Sequence, residues 1–150
     1  MTSTQLEGQN ALLEKFNNRN VITVGFPCNQ FGMQEPGRPN EILNCYKYVR
    51  PGKGWTPNSQ FKIMDKIDVN GDNEHPLFTF LKDTCPPVKS KIGSKDGIYW
   101  SPIVIGDITW NFGKFLIDKT GKPRYRFAPG VSPISIESYI NELLAEDTPT

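Results

Sequence analysis

The stretch Val21-Ile-Thr-Val-Gly-Phe26, continued by Pro27-Cys-Asn-Gln-Phe-Gly-Met-Gln-Glu-Pro-Gly37, constrains this chain more than any other. Val21 to Phe26 is a short apolar run rich in β-branched residues, the pattern of a strand buried on both faces. Pro27 has no N–H for a ladder, and Asn29, Gly32, Pro36 and Gly37 demand loop geometry. A buried strand that opens into a polar loop delivers side chains to the carboxyl edge of a sheet, where open α/β folds bind ligands. Cys28, Asn29, Gln30 and Gln34 all fall in that loop.

Flanking segments predict an alternation of helices and strands. Thr4-Gln-Leu-Glu7 fits a capping box, and Leu6, Leu12, Leu13 and Phe16 form an apolar stripe to about Phe16. Asn40 is placed to cap a helix carrying Ile42, Cys45, Tyr46 and Val49, stopped by Pro51-Gly-Lys-Gly54. Phe61 to Val69 reads as a second strand ended by Asn70-Gly71. Pro76 suits the first turn of a helix closed by Cys85-Pro-Pro87. Lys89 to Gly97 is an exposed loop. Phe112 to Ile117 and Pro123 to Phe127 flank Asp118-Lys-Thr-Gly121, a hairpin signal, and a last helix runs from about Ser135 to Ala145. With no internal repeat and no linker, residues 1–150 form a single α/β domain in this reading.

Composition narrows the function. A net charge of +1 gives no electrostatic case for nucleic acid or an anionic surface. No apolar run approaches the about 20 residues of a membrane span, and Met1 to Gln9 is too polar for a signal peptide. Cys28, Cys45 and Cys85 are widely spaced, with no CxxC and no ligand cluster, so neither a disulfide framework nor a metal site is expected. Asp68-Val-Asn-Gly-Asp72 has the wrong glycine position for a calcium loop. Gly52-Lys-Gly54 lacks the remainder of a P-loop. His75, before Pro76, reads as a structural residue at a helix start.

Phe26 to Gly37 resembles the FPCNQFGxQEPG signature of the glutathione peroxidase family. Trp110-Asn-Phe-Gly-Lys-Phe-Leu116 is similar to that family's WNFxKFL, and Val69-Asn-Gly71 with His75-Pro-Leu-Phe78 extends the likeness over nearly the whole chain. The resemblance implies a thioredoxin-like α/β fold. It also implies an antioxidant oxidoreductase of the oxidative-stress response, reducing hydrogen peroxide and organic hydroperoxides with glutathione or a related thiol. No metal or organic cofactor is implied. Family members hydrogen-bond a reactive selenolate or thiolate with a Gln amide, a Trp indole and an Asn amide, which correspond to Gln34, Trp110 and Asn111. Each donates N–H without carrying charge, which suits a stabiliser of an anion.

The family's [U/C]-G-x-T segment aligns its x with Met1 and its Thr with Thr2, so the peroxidatic residue, as in a selenoprotein, is expected just upstream of Met1. On that alignment the N-terminal strand is missing, Val21 to Phe26 is short of a neighbour, and the chain as given is inactive or nearly so. Cys28 reads as a structural thiol, Cys45 is offset from the family's resolving cysteine, and Cys85 is incidental. Tyr48-Val-Arg-Pro-Gly52 resembles an insertion of tetrameric, glutathione-using members, making Arg50 the candidate for binding the thiol's carboxylates and implying a homotetramer. Pro129-Gly130 stands where those members carry Arg-Arg, and Thr4 where they carry another Arg, which draws the chain toward thioredoxin-using or phospholipid-hydroperoxide branches. Two alternatives stand: a cysteine-type, thioredoxin-dependent peroxidase, and a non-enzymatic degenerate fragment acting as a binding module. A cytoplasmic location is favoured, and a secreted one is compatible with an upstream start.

Overall fold

Apolar periodicity and turn chemistry place most elements near their expected positions. In a computed structural model, which describes residues 1–147, the order is α1 (Thr2–Lys15), β1 (Thr23–Gly25), α2 (Pro39–Tyr48), β2 (Phe61–Ile63), α3 (Pro76–Thr84), β3 (Lys114–Ile117), β4 (Pro123–Phe127) and α4 (Glu137–Ala145). Single 3-10 turns occupy Lys95–Gly97 and Pro133–Ile136.

Three helix starts differ from the sequence pattern. Helix α1 begins at Thr2, because the Gln5 N–H donates to the Met1 carbonyl at 3.0 Å. Thr4 and Glu7 therefore lie inside the helix and form no capping box. Helix α2 is capped at Arg38 rather than Asn40, since Pro39 suits the first helical position and the Glu41 carboxylate accepts from the Arg38 N–H at 2.8 Å. The last helix starts at Glu137, because Pro133 draws Ser135 into a 3-10 turn. Helix α3 starts as expected, with Pro76 in its first turn and His75 Nδ1 accepting from the Leu77 N–H at 3.2 Å. That bond gives the chain's lone histidine a capping role.

The strands form two separate pairs. β1 lies parallel to β2 in the register Thr23↔Phe61, Val24↔Lys62 and Gly25↔Ile63. β3 lies antiparallel to β4, joined by a turn in which the Asp118 carboxylate accepts from the N–H groups of Thr120 and Lys122 and Gly121 adopts φ +86. Among the described residues no ladder joins β1 to β3. This corrects the expectation that Val21 to Phe26 is buried on both faces: Ile22 is 69% and Val24 42% exposed. Both line a cavity that lies between β1 and β3.

Around the cavity the core divides in three. Leu6, Leu13, Ile42, Tyr46 and Phe61 pack α1 and α2 onto β2. Leu12, Phe16, Ile136 and Ile140 pack α1 against α4, with Val21 and Leu116 on the edge. Cys28, Phe31, Val69, Phe78, Leu81 and Ile108 pack α3 under the loops that follow β1 and precede β3. Phe26 and Phe115 both meet the Phe78 ring edge-on, at 5.7 and 6.3 Å. Hence β1 ends beside the start of β3, and the two strands run in opposite directions across the cavity.

Candidate functional site

The loop after β1 is braced by its own amides. Gln30 is buried; its Oε1 accepts from the N–H groups of Val69 and Asn70 at 3.0 and 3.1 Å, and its Nε2 donates to the Asn70 carbonyl at 2.8 Å. Asn29 Oδ1 accepts from the Glu35 N–H at 3.0 Å. Beyond the turn, Lys66 Nζ donates to the carbonyls of Glu35 and Gly37, and Tyr46 donates its hydroxyl to the Glu35 carboxylate. Gly32 and Met33 both adopt positive φ, +64 and +51, a costly turn for Met33 that these braces hold. The turn projects Gln34 outward, exposed.

A second loop, 106–113, meets it. The Asn70 side chain, fully buried, donates from Nδ2 to the Ile108 carbonyl and accepts at Oδ1 from the Ile108 N–H, both at 2.9 Å. Arg126 donates to the carbonyls of Gly106 and Asp107 from below. Asp107, also buried, accepts from Trp100 Nε1 and the Val104 N–H and pairs with Lys82 at 3.3 Å. Satisfied in this way, buried polar groups fix a backbone rather than destabilise it.

The two loops bring Gln34, Trp110 and Asn111 together. Asn111 Nδ2 donates to Gln34 Oε1 at 3.0 Å. The indole of Trp110 sits between two glycines: a Cβ on Gly97 would come within 3.0 Å of Trp110 Cζ3, and a Cβ on Gly32 within 3.3 Å of Cη2 and 3.5 Å of Gln34 Nε2. The Gly32 N–H closes this arrangement by donating to the Gly97 carbonyl at 3.0 Å, while Phe31 tilts against the indole at 6.0 Å. Among the described residues Trp110 Nε1 and Gln34 Nε2 have no acceptor, in contrast to Trp100 Nε1. The site therefore presents uncharged N–H donors, held by neighbours and open to an incoming acceptor. Such a set favours an anion without pairing it permanently.

Other candidates stand apart. Arg50 is exposed past the end of α2; its N–H donates to the Cys45 carbonyl, and no hydrogen bond or ion pair joins its side chain to Gln34, Trp110 or Asn111 among the described residues. Cys28 is buried, with its Sγ 3.5 Å from Gln30 Oε1 as a donor, and burial raises its pKa. Cys85 is likewise buried and raised by desolvation. Cys45 is exposed on α2. Among the described residues no group of His, Cys, Asp and Glu is gathered for a metal, and no helix is long and apolar enough to cross a membrane. The sequence patterns missed the roles of Gln30, Asn70, Asp107 and Arg126. A polar residue between apolar Val69 and a turn glycine was the available signal for Asn70.

The chain is similar to known proteins in both sequence and fold. A family model described as glutathione peroxidase matches residues 1–82. Glutathione peroxidase 3 of Caenorhabditis elegans is 49% identical over 139 residues, which are 91% of this chain and 62% of that protein. The cuticular glutathione peroxidase of Brugia malayi is 48% identical over the same shares. The chain thus spans about three fifths of the length of these curated relatives. Among solved structures, that of Trgpx in apo form superposes with a TM-score of 0.68 at 26% identity, covering 99% of this chain and 76% of that one. T. cruzi GPX1 gives a TM-score of 0.59 at 30% identity, over 92% of this chain and 69% of that one. The fold is thioredoxin-like α/β, and the chain belongs to the glutathione peroxidase family.

Proposed function

We propose that Gln34, Trp110 and Asn111 are the donor side of a hydroperoxide-reducing site, hydrogen-bonding a selenolate or thiolate that attacks the peroxide oxygen. The observation that carries this is the pairing of Asn111 with Gln34 beside an indole N–H left without an acceptor. Hydrogen bonds to a charged acceptor contribute about 1.5–3 kcal/mol each, so three of them lower the nucleophile's pKa without a permanent counter-ion. Attack forms a chalcogen–oxygen bond and breaks the O–O bond, and a thiol then returns the chalcogen to its reduced state. Glutathione or a related thiol is the reductant we favour, with Arg50 contributing to its carboxylates. No metal or organic cofactor is called for.

None of Cys28, Cys45 and Cys85 is the nucleophile in this reading. Burial raises the pKa of Cys28 and Cys85, opposite to what a reactive thiolate needs, and among the described residues no hydrogen bond joins the side chain of exposed Cys45 to the donors. The 150-residue chain alone is therefore inactive or nearly so. A non-enzymatic binding role is the second reading, favoured by those same cysteine environments.

Peroxide consumption measured with glutathione and with a thioredoxin system tests this. The chain alone is expected near background; a chain extended at its N-terminus by an apolar strand ending in Cys-Gly is expected to turn over. Gln34→Leu or Trp110→Phe in the extended chain should lower the rate roughly 10- to 100-fold. Turnover by the unextended chain that Cys28→Ser abolishes would sink the proposal. So would a folded extended chain that leaves peroxide untouched.

A further inference from the structure

Pro102-Ile-Val-Ile105 sets four apolar residues in a row on the surface, with Ile103, Val104 and Ile105 exposed by 54, 50 and 96%. The fold does not require them there. Buried Asp107 holds the turn from beneath, its carboxylate accepting from the Val104 N–H at 2.9 Å and from Trp100 Nε1 at 2.8 Å. The Asp107 N–H returns to the Val104 carbonyl at 3.3 Å, and Gly106 supplies φ +103. Polar side chains at positions 103 to 105 would leave every one of these bonds in place. A run of exposed apolar residues that the packing does not use marks a contact surface.

The surroundings add charge. Arg126 donates to the carbonyls of Gly106, Asp107 and Cys85, which ties the turn to the segment after α3. Val88 and Lys89 accordingly border one small pocket with Asp107 and Ile108. The whole-chain charge of +1 is unevenly spread: Lys89, Lys91 and Lys95, all exposed, stand in this region against Asp96. Asp72, whose N–H donates to the Ser101 carbonyl, offsets a further lysine. The local balance is weakly basic beside a strongly apolar turn.

We propose that the turn at residues 102–105 is a lipid-surface anchor, which inserts its three branched side chains into the interface of a bilayer while the lysines stay among the headgroups. Shape decides between a bilayer and a protein groove as the partner. The turn is braced and protrudes, with Ile105 almost wholly exposed, so its side chains project and line no cleft. Its backbone sets the depth. The N–H and C=O of Ile105 have no partner among the described residues, and the hydrocarbon interior would leave them unpaired. At the interface, about 5–10 Å in, headgroup oxygens and water satisfy them while the side chains reach the acyl boundary. Half-exposed Tyr99 suits the same level, with an apolar ring and a polar tip. This inference needs no nucleophile and does not rest on the peroxidase proposal.

Sedimentation of the full 150-residue chain with large unilamellar vesicles tests it, without peroxide or thiol. Saturable binding to phosphatidylcholine is expected, tightened about fivefold at low salt when phosphatidylserine is mixed in equal parts. Ile105→Asp should weaken binding to both by about tenfold or more, with an unchanged thermal midpoint because the position is exposed. Replacing Lys89 and Lys91 together by Gln should abolish the preference for phosphatidylserine and leave binding to phosphatidylcholine as it was. Ile22→Asp, exposed on the cavity instead, should bind as the wild type does. Absence of vesicle binding overturns the proposal. Binding that survives Ile105→Asp, or that Ile22→Asp removes, overturns it as well and assigns the lipid contact elsewhere. Self-association abolished by Ile105→Asp, with no vesicle binding, overturns it in favour of a protein contact. Because no turnover is measured, failure here is distinct from failure of the peroxidase proposal.

Discussion

Single side chains decide how the donor group is held. Asn70 is the sharpest case, fully buried with both ends of its amide on the backbone of Ile108, just before Trp110. Asn70→Leu removes both partners and leaves a buried N–H and C=O orphaned, each costing about 1–3 kcal/mol. A loss of about 2–4 kcal/mol is expected in urea unfolding, with a shift in indole emission as the Trp110 loop loosens; an unchanged midpoint would remove the clamp from the account. Lys114 gives the pH-dependent counterpart. Its ammonium donates to the carbonyls of Phe112 and Pro129, yet burial pulls its pKa down to about 8, against about 10.4 unfolded. Between those values the unfolded chain binds more protons than the folded one, so stability rises with pH across the window. Below about pH 8 both states are charged and the penalty is constant. Compared with Lys114→Met, the wild type should gain stability between about pH 7.5 and 9.5; a flat difference would contradict the shift. Gln34, Trp110 and Asn111 were legible because they stand in two long motifs. Asn70 and Gln30 were harder to see, since an amide that satisfies a distant backbone has the same local signature as one that ends a strand.

Elements were legible wherever one local rule dominated. Pro76 fixed the start of α3, and Asp118 with Gly121 fixed the β3–β4 turn, because each imposes backbone geometry whatever surrounds it. Competing rules were harder. Thr4 and Glu7 satisfy the capping-box spacing, but the Gln5 N–H reaches the Met1 carbonyl and the helix continues back to Thr2. A substitution separates the two arrangements. If Thr4 were a cap, Thr4→Ala would cost about 1 kcal/mol. As an exposed interior residue it should instead stabilise the chain by a few tenths of a kcal/mol, roughly the helix-propensity difference. Thermal unfolding of that variant has opposite signs in the two cases, and an increase is expected.

At the scale of the whole molecule, residue pattern reports the face a strand would bury but not whether a neighbour is there to bury it. Val21 to Phe26 has the composition of a central strand, and β1 is an edge. The two sheets consequently leave a cavity of about 700 Å³ open, and Ile22, an apolar residue by any scale, is 69% exposed on it. That openness predicts the effect of a charge there. In a closed sheet, Ile22→Asp would bury a carboxylate among apolar side chains and cost several kcal/mol. On an open cavity the aspartate stays hydrated, and the change should remain within about 0.5 kcal/mol. The same variant should weaken binding of an anilinonaphthalene sulfonate dye to the native chain, because the aspartate places negative charge beside the apolar wall the anionic dye would use. A destabilisation of several kcal/mol, with no dye bound by the wild type, would mean that the two sheets close on each other in solution.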